Sequence, residues 1–251
     1  MDRQSAFSYQ CNQCGRCCHN QTITLSPVDV IAIARTSEIS TGETVARYTI
    51  RRGSLLRFSA NGGCVALDGV RCSIHRGRPL ACRLYPLGLE RDGGRERFIQ
   101  LEGARESAGV FGANGTIDEF LGGQDIDEDL ALNERYRPLL GTMRKRIGRL
   151  VDFEVVEPRE FWRRAVAEAL READFDAKNR IIETIFDADG AKCARDSVAA
   201  TVAAHLAALT GIVDRETDAT KIAVAAVLLA VSLGYSPAEA IFYGWGAGKN
   251  R

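Results

Sequence analysis

Seven cysteines crowd the first 82 residues: Cys11, Cys14, Cys17, Cys18, Cys64, Cys72 and Cys82. An eighth, Cys193, stands far from them. Four thiols within eight residues are too close together to bridge one another in relaxed disulfide geometry. The chain starts Met-Asp-Arg-Gln-Ser, without the apolar stretch of a secretory signal. The expected address is the cytoplasm, where clustered thiols stay reduced and point to metal. Cys11-Asn-Gln-Cys14-Gly-Arg-Cys17 reads C-x2-C-x2-C. That spacing supplies three corners of a 4Fe–4S cluster, with the fourth ligand remote; Cys64, Cys72 and Cys82 are the candidates. The same Cys-x2-Cys-Gly turn also suits zinc. Seven thiolates exceed one four-coordinate shell, so either two centres form or some thiols support a single one. Spacing alone groups Cys11, Cys14 and Cys17 with one distant cysteine. That leaves Cys18 and the remaining cysteines, with His75 three residues after Cys72, for a second site or a supporting role.

The residues around these thiols resemble a known family. Phe7-x3-Cys11-x2-Cys14-Gly15-x-Cys17-Cys18, then Leu25-Ser26-Pro27-x-Asp29-Val30, is similar to the CxxCxxCC or YkgJ-like cysteine-cluster family, described as a zinc- or iron-chelating domain. Gly63-Cys64-Val-Ala-Leu67, Cys72-Ser-Ile74 and Arg78-Pro79-x2-Cys82-Arg83-x2-Pro86 continue the likeness to about residue 90. The resemblance implies a metal or iron–sulfur site built from the seven cysteines. Some members of the family are described as flagellin lysine N-methylases. One departure concerns His75, where the family usually carries Tyr, so a ligand role for His75 rests on this sequence alone.

The elements that must position the thiols are legible in part. Ser26-Pro27-x-Asp29 predicts a helix start, with Ser as N-cap, Pro in the first turn and an acid at the third position. Cys64 to Leu67 and Val70 to Ile74, around Asp68-Gly69, predict a hairpin that brings Cys64 and Cys72 together. Residues 87–101 read as another hairpin. Residues 103–124 hold six glycines and read as a linker. Beyond it the pattern turns helical: 127–150, bent at Pro138, then 158–172, 176–186, 191–210 and 218–233, with a last helix opened by Ser236-Pro237-Ala238-Glu239. Arg76, Arg78 and Arg83 flank the last ligands and could stabilise thiolate charge. His19, next to Cys18, is a candidate ligand or hydrogen-bonding partner. His205 falls mid-helix among apolar residues and reads as packed, and Cys193 as structural.

Composition narrows the classes. Thirty-three Lys+Arg balance 33 Asp+Glu, but residues 1–105 carry 15 Arg against 9 acids and the remainder is acidic. The two halves can attract each other, or the basic half can offset thiolate charge. The longest apolar run, Ile222 to Leu233, is about 12 residues against the ~20 of a membrane span. The basic run Arg144-Lys-Arg-x2-Arg149 has acidic neighbours, which argues against nucleic acid. No Gly-x-Gly-x-x-Gly, Ser-centred elbow or His-Glu-x-x-His occurs.

The sequence therefore predicts an α+β protein. A small irregular Cys-rich domain with short hairpins occupies 1–105, a Gly-rich linker 106–124, and a mainly helical domain 125–251. Its function is to hold an iron–sulfur cluster or zinc, for electron transfer or redox sensing with a protein partner. A lysine N-methylase and a structural zinc module are the alternatives. Loss of the metal is expected to unfold the front third and spare the helices.

Overall fold

A computed structural model describes residues 1–92, 95–104, 107–171, 180–188 and 197–237 of the 251. The expected site of Cys193, and most of the helix expected from Ser236, lie outside these residues. The front of the chain runs β1 (Ala6–Gln10), α1 (Pro27–Ser37), α2 (Thr41–Tyr48), β2 (Thr49–Ile50), β3 (Leu55–Leu56), β4 (Leu67–Asp68), β5 (Arg71–Cys72) and α3 (Leu80–Leu84). Next come β6 (Leu87–Asp92), β7 (Arg95–Gln100), β8 (Val110–Thr116), α4 (Ile117–Gly122) and α5 (Ile126–Glu134). The chain continues with α6 (Arg137–Leu150), α7 (Pro158–Ala169), α8 (Arg180–Phe186), α9 (Val198–Arg215) and α10 (Ala219–Ser232). The fold is α+β, and the strands of the described residues pair into four separate two-stranded antiparallel sheets.

Local sequence explains most starts and stops. Ser26 caps α1 in a full capping box with Asp29, and Pro27 fills the first helical position. Thr116 and Glu119 form a second box at α4. Ser197 caps α9 and Asp218 caps α10. The hairpin expected at 64–74 is present but shorter, with Leu67 opposite Cys72. The 87–101 hairpin keeps Leu87 opposite Gln100. The helix expected over 127–150 is instead two, α5 and α6, separated at Arg135–Tyr136. Pro138 lies at the start of α6, where its missing N–H costs nothing.

The expected linker gives way to structure. Residues 110–116 form β8, which pairs with β1 across a hundred residues, Tyr9 opposite Phe111. Residues 117–122 form α4. Glycine hides a strand from propensity, because the ladder partner that stabilises it is remote in sequence.

Two apolar clusters hold the chain together, and each draws on residues from both sides of 106–124. The larger joins Leu25, Val28 and Ile31 of the front to Tyr136, Met143 and Ile147 of α6, Ile185 and Phe186 of α8, and nearly all of α10. The smaller joins Phe7, Leu84 and Leu87 to Ile117, Leu121, Ile126 and Leu130. The Cys-rich and helical parts thus share their cores. Helix α1 is buried almost all round and belongs to the main core. His205 is packed as expected: its Nδ1 lies 2.8 Å from the Tyr136 hydroxyl and its Nε2 2.6 Å from the Thr184 carbonyl oxygen. Helix α9, unlike the shorter apolar run at 222–233, has the length and apolar composition of a membrane span. Val202, His205, Leu209 and Val213 are its buried stripe, facing α1, α6 and α8.

Opposite charges join the basic front to the acidic remainder. Arg3 reaches Asp118 at 3.0 Å and Asp127 at 2.9 Å. Arg83 pairs with Asp129, and Arg52 with Glu183.

Candidate metal centre

Three stretches of backbone bring the cysteines to one place. After β1 the chain turns at Gly15, whose φ of 71° is left-handed. A Cβ there would sit 2.9 Å from the Val70 carbonyl oxygen, so only glycine lets this turn lie against the β4–β5 turn that precedes Cys72. A 3-10 turn then carries Cys17 and Cys18. The Cys18 carbonyl accepts from the Cys64 N–H at 2.9 Å, and the Gly62 carbonyl from the Asn20 N–H at 2.8 Å. These bonds zip the second stretch onto the first. The third stretch follows the His75–Gly77 turn. There a Cβ on Gly77 would fall 2.4 Å from the Ala32 carbonyl oxygen, so the turn sits directly on α1. Helix α3 then presents Cys82.

All seven cysteines line one cavity of about 820 Å³, bounded by residues of both apolar clusters. Cys11 is exposed and the other six are half-buried or deeper. They are not equivalent. The charges of Cys17, Cys64 and Cys72 all act on Cys82, and those of Cys17 and Cys72 act on Cys64. Cys18 is beside Cys17, Cys72 and Cys82. The charge of Cys17 acts on Cys14, and that of Cys11 on Tyr9.

The electrostatics favour thiolates at Cys14 and Cys17, whereas burial opposes them at Cys64, Cys72 and Cys82. The Cys17 and Cys18 thiols interact with each other, and that contact, with Arg78 and His19 nearby, holds the Cys17 thiol below its usual range. Cys18 is pushed the other way. Cys14 is lowered by the N–H of Ala108, 3.4 Å from its sulfur, and by that of Arg16. Burial raises Cys64, Cys72 and Cys82, most of all Cys82. Against that, the N–H of Ala66 donates to Cys64 and that of Ile74 to Cys72. At Cys14, Cys64 and Cys72 the donor is thus the amide two residues along, which stabilises a sulfur carrying negative charge.

Positive charge faces the same wall. Arg78 acts on Cys17 and Cys72. Its guanidinium donates to the ring Nε2 of His75 at 2.9 Å and to Gln124 Oε1 at 2.6 Å. The Arg78 bond engages the Nε2 lone pair of His75, and burial together with the Arg78 charge lowers the ring's basicity. His19 does not line the cavity; its Nδ1 lies 3.1 Å from the Gly15 carbonyl oxygen. Neither histidine is placed as a ligand.

Among the described residues, no three His, Cys, Asp or Glu side chains stand close enough to grip one ion as they are. The donor set nonetheless fits a thiolate-bound metal: soft sulfur ligands, amide donors on three of them and a guanidinium opposite. Nothing in the sequence pattern pointed to Gln124 or to the Asp29 bond with Leu80, while the supporting role open to Cys18 was legible from its place beside Cys17.

Residues 10–102 match the family model CxxCxxCC, described as a "putative zinc- or iron-chelating domain". The match covers the motifs on which the resemblance was drawn. An uncharacterized protein of Methanocaldococcus jannaschii is 29% identical over 120 residues, 46% of this chain and 65% of that relative, so the chain spans under two thirds of the relative's length. No solved structure matches the chain.

Proposed function

We propose that this protein holds an iron–sulfur cluster of the 4Fe–4S type on Cys17, Cys64, Cys72 and Cys82, and uses it in electron transfer or redox sensing. The observation that carries the reading is the convergence of thiols from three separate stretches on one cavity, where Cys82 lies within electrostatic reach of Cys17, Cys64 and Cys72. Four thiolates are the number such a cluster takes. The cavity of about 820 Å³ leaves room for a polynuclear centre. Cys18 supports Cys17, the amides of Ala66 and Ile74 support Cys64 and Cys72, and Arg78 offsets their charge. Cys11 and Cys14 stand outside these four. A cluster bound there would exchange one electron at a time, at a potential set by these hydrogen bonds and by burial.

One observation favours a second reading. Amides two residues beyond Cys14, Cys64 and Cys72 donate to sulfur, an arrangement that suits tetrahedral zinc equally well. Isolation under anaerobic conditions separates the two. The expected result is a brown protein with about four iron and four acid-labile sulfide per chain, whose visible absorption bleaches on reduction. A colourless protein with stoichiometric zinc would replace the cluster with a structural zinc module.

A further inference from the structure

We infer that Asp29 is a positioning residue for Cys82: one buried carboxylate caps two helices, and through the second it fixes a sulfur of the metal centre. This rests on the reading of Cys82 as a ligand and adds a residue that carries no sulfur. Asp29 is only 4% exposed. Its Oδ2 accepts from the Ser26 N–H at 2.7 Å and from the Ser26 hydroxyl at 2.8 Å, which completes the capping box of α1. That box needs one oxygen. The other, Oδ1, accepts from the Leu80 N–H at 2.7 Å, 51 residues along the chain.

Leu80 is the first residue of α3, and Cys82 is the third. The N-cap of α3 is Pro79, which has no side-chain hydrogen bond to offer. Five residues are too few to hold a helix without tertiary support. Asp29 supplies the missing cap from another helix and brings negative charge to the N-terminal end, where the peptide dipoles favour it. The Arg83 ion pair with Asp129 and its bond to the Gln124 carbonyl oxygen tie down the residue after Cys82. Cys82 is thus held on both sides, by Asp29 before it and by Arg83 after it.

The chemistry asks for aspartate in particular. Three donors converge on one short side chain, and only a carboxylate offers two acceptor oxygens with no donor of its own. Asparagine would turn an N–H toward either Ser26 or Leu80. Leu80→Pro makes the complementary cut: it removes the N–H and leaves Asp29 intact. Proline suits the first helical position, and Pro79, at φ −53° and ψ 153°, already has the extended backbone required before a proline.

The test loads metal-free protein anaerobically with cobalt(II) and reads the thiolate-to-cobalt charge-transfer band, whose intensity follows the number of bound sulfurs. Asp29→Asn and Leu80→Pro are each expected to lose the same share as Cys82→Ser, about a quarter of a four-thiolate band. Combining either with Cys82→Ser should cost nothing further. Ser26→Ala weakens the α1 cap without touching Leu80. It is expected to lower the unfolding midpoint by about 2–4 °C and leave the band whole. A full band in both Asp29→Asn and Leu80→Pro would overturn the inference, as would further loss in the double variants. A full band in Cys82→Ser would overturn the ligand reading of Cys82 itself, whatever Asp29 does. Should Asp29→Asn fail to fold, Leu80→Pro decides alone.

Discussion

Replacing Cys17, Cys64, Cys72 or Cys82 with serine is expected to lower metal affinity more than about 100-fold, beyond the loss typical of supporting residues. Serine keeps the shape of cysteine but not its chemistry. Its hydroxyl is too weakly acidic to ionise at neutral pH and too hard to replace a thiolate. Cys18→Ser is a different case. Cys18 supports Cys17, and a serine hydroxyl can still contact that sulfur, so this variant should lose about tenfold at most. Cys11→Ser and Cys14→Ser should also keep most of the metal, since neither thiol is among the proposed four. Metal content per chain, measured on each purified variant, checks this directly. A protein indifferent to all seven substitutions would mean that the cysteines are not ligands.

Removing the metal should loosen the site and spare the helices. Among residues 11–24 only Gly15 is buried, and residues 57–85 bury few large side chains beyond Ile74 and Leu84. Such loops have little of their own to offset the entropy of ordering, and structural metal sites contribute on the order of 10 kcal/mol to folding. Helix α1 lies between these loops in sequence, but its Val28, Val30, Ile31 and Ile33 are in the main core. Chelation followed by trypsin is therefore expected to cut first at Arg16, Arg71 and Arg76, all exposed. Arg35 and Arg47, on α1 and α2, should resist. Mass spectrometry of the fragments distinguishes this from uniform resistance, which would show that the loops do not depend on metal.

What the sequence made legible was local. The capping box of α1 is written in four residues, Ser26 to Asp29, and the structure keeps it. The hairpin from Leu87 is legible for the same reason, since turn and strands are contiguous. Strand β8 was hidden because its partner, β1, is a hundred residues away and its own residues are rich in glycine. The shared cores were hidden likewise, because nothing local to Leu25 or Val28 reveals that they meet α6 and α10. At the site, clustering in sequence found all seven cysteines but grouped them by spacing. Cys14 and Cys17 flank the left-handed turn at Gly15, and both line the cavity. Asp29 was read only as a helix cap, because its bond to Leu80 is a tertiary contact.

X-ray absorption at the edge of the bound metal tests most directly whether the four converging thiols hold it. The expected spectrum has a shell of sulfur alone at about 2.3 Å, which thins when Cys64, Cys72 or Cys82 is changed to serine. A first shell of oxygen or nitrogen at about 2.0–2.1 Å, unaltered in those variants, would place the metal elsewhere in the protein and contradict the assignment.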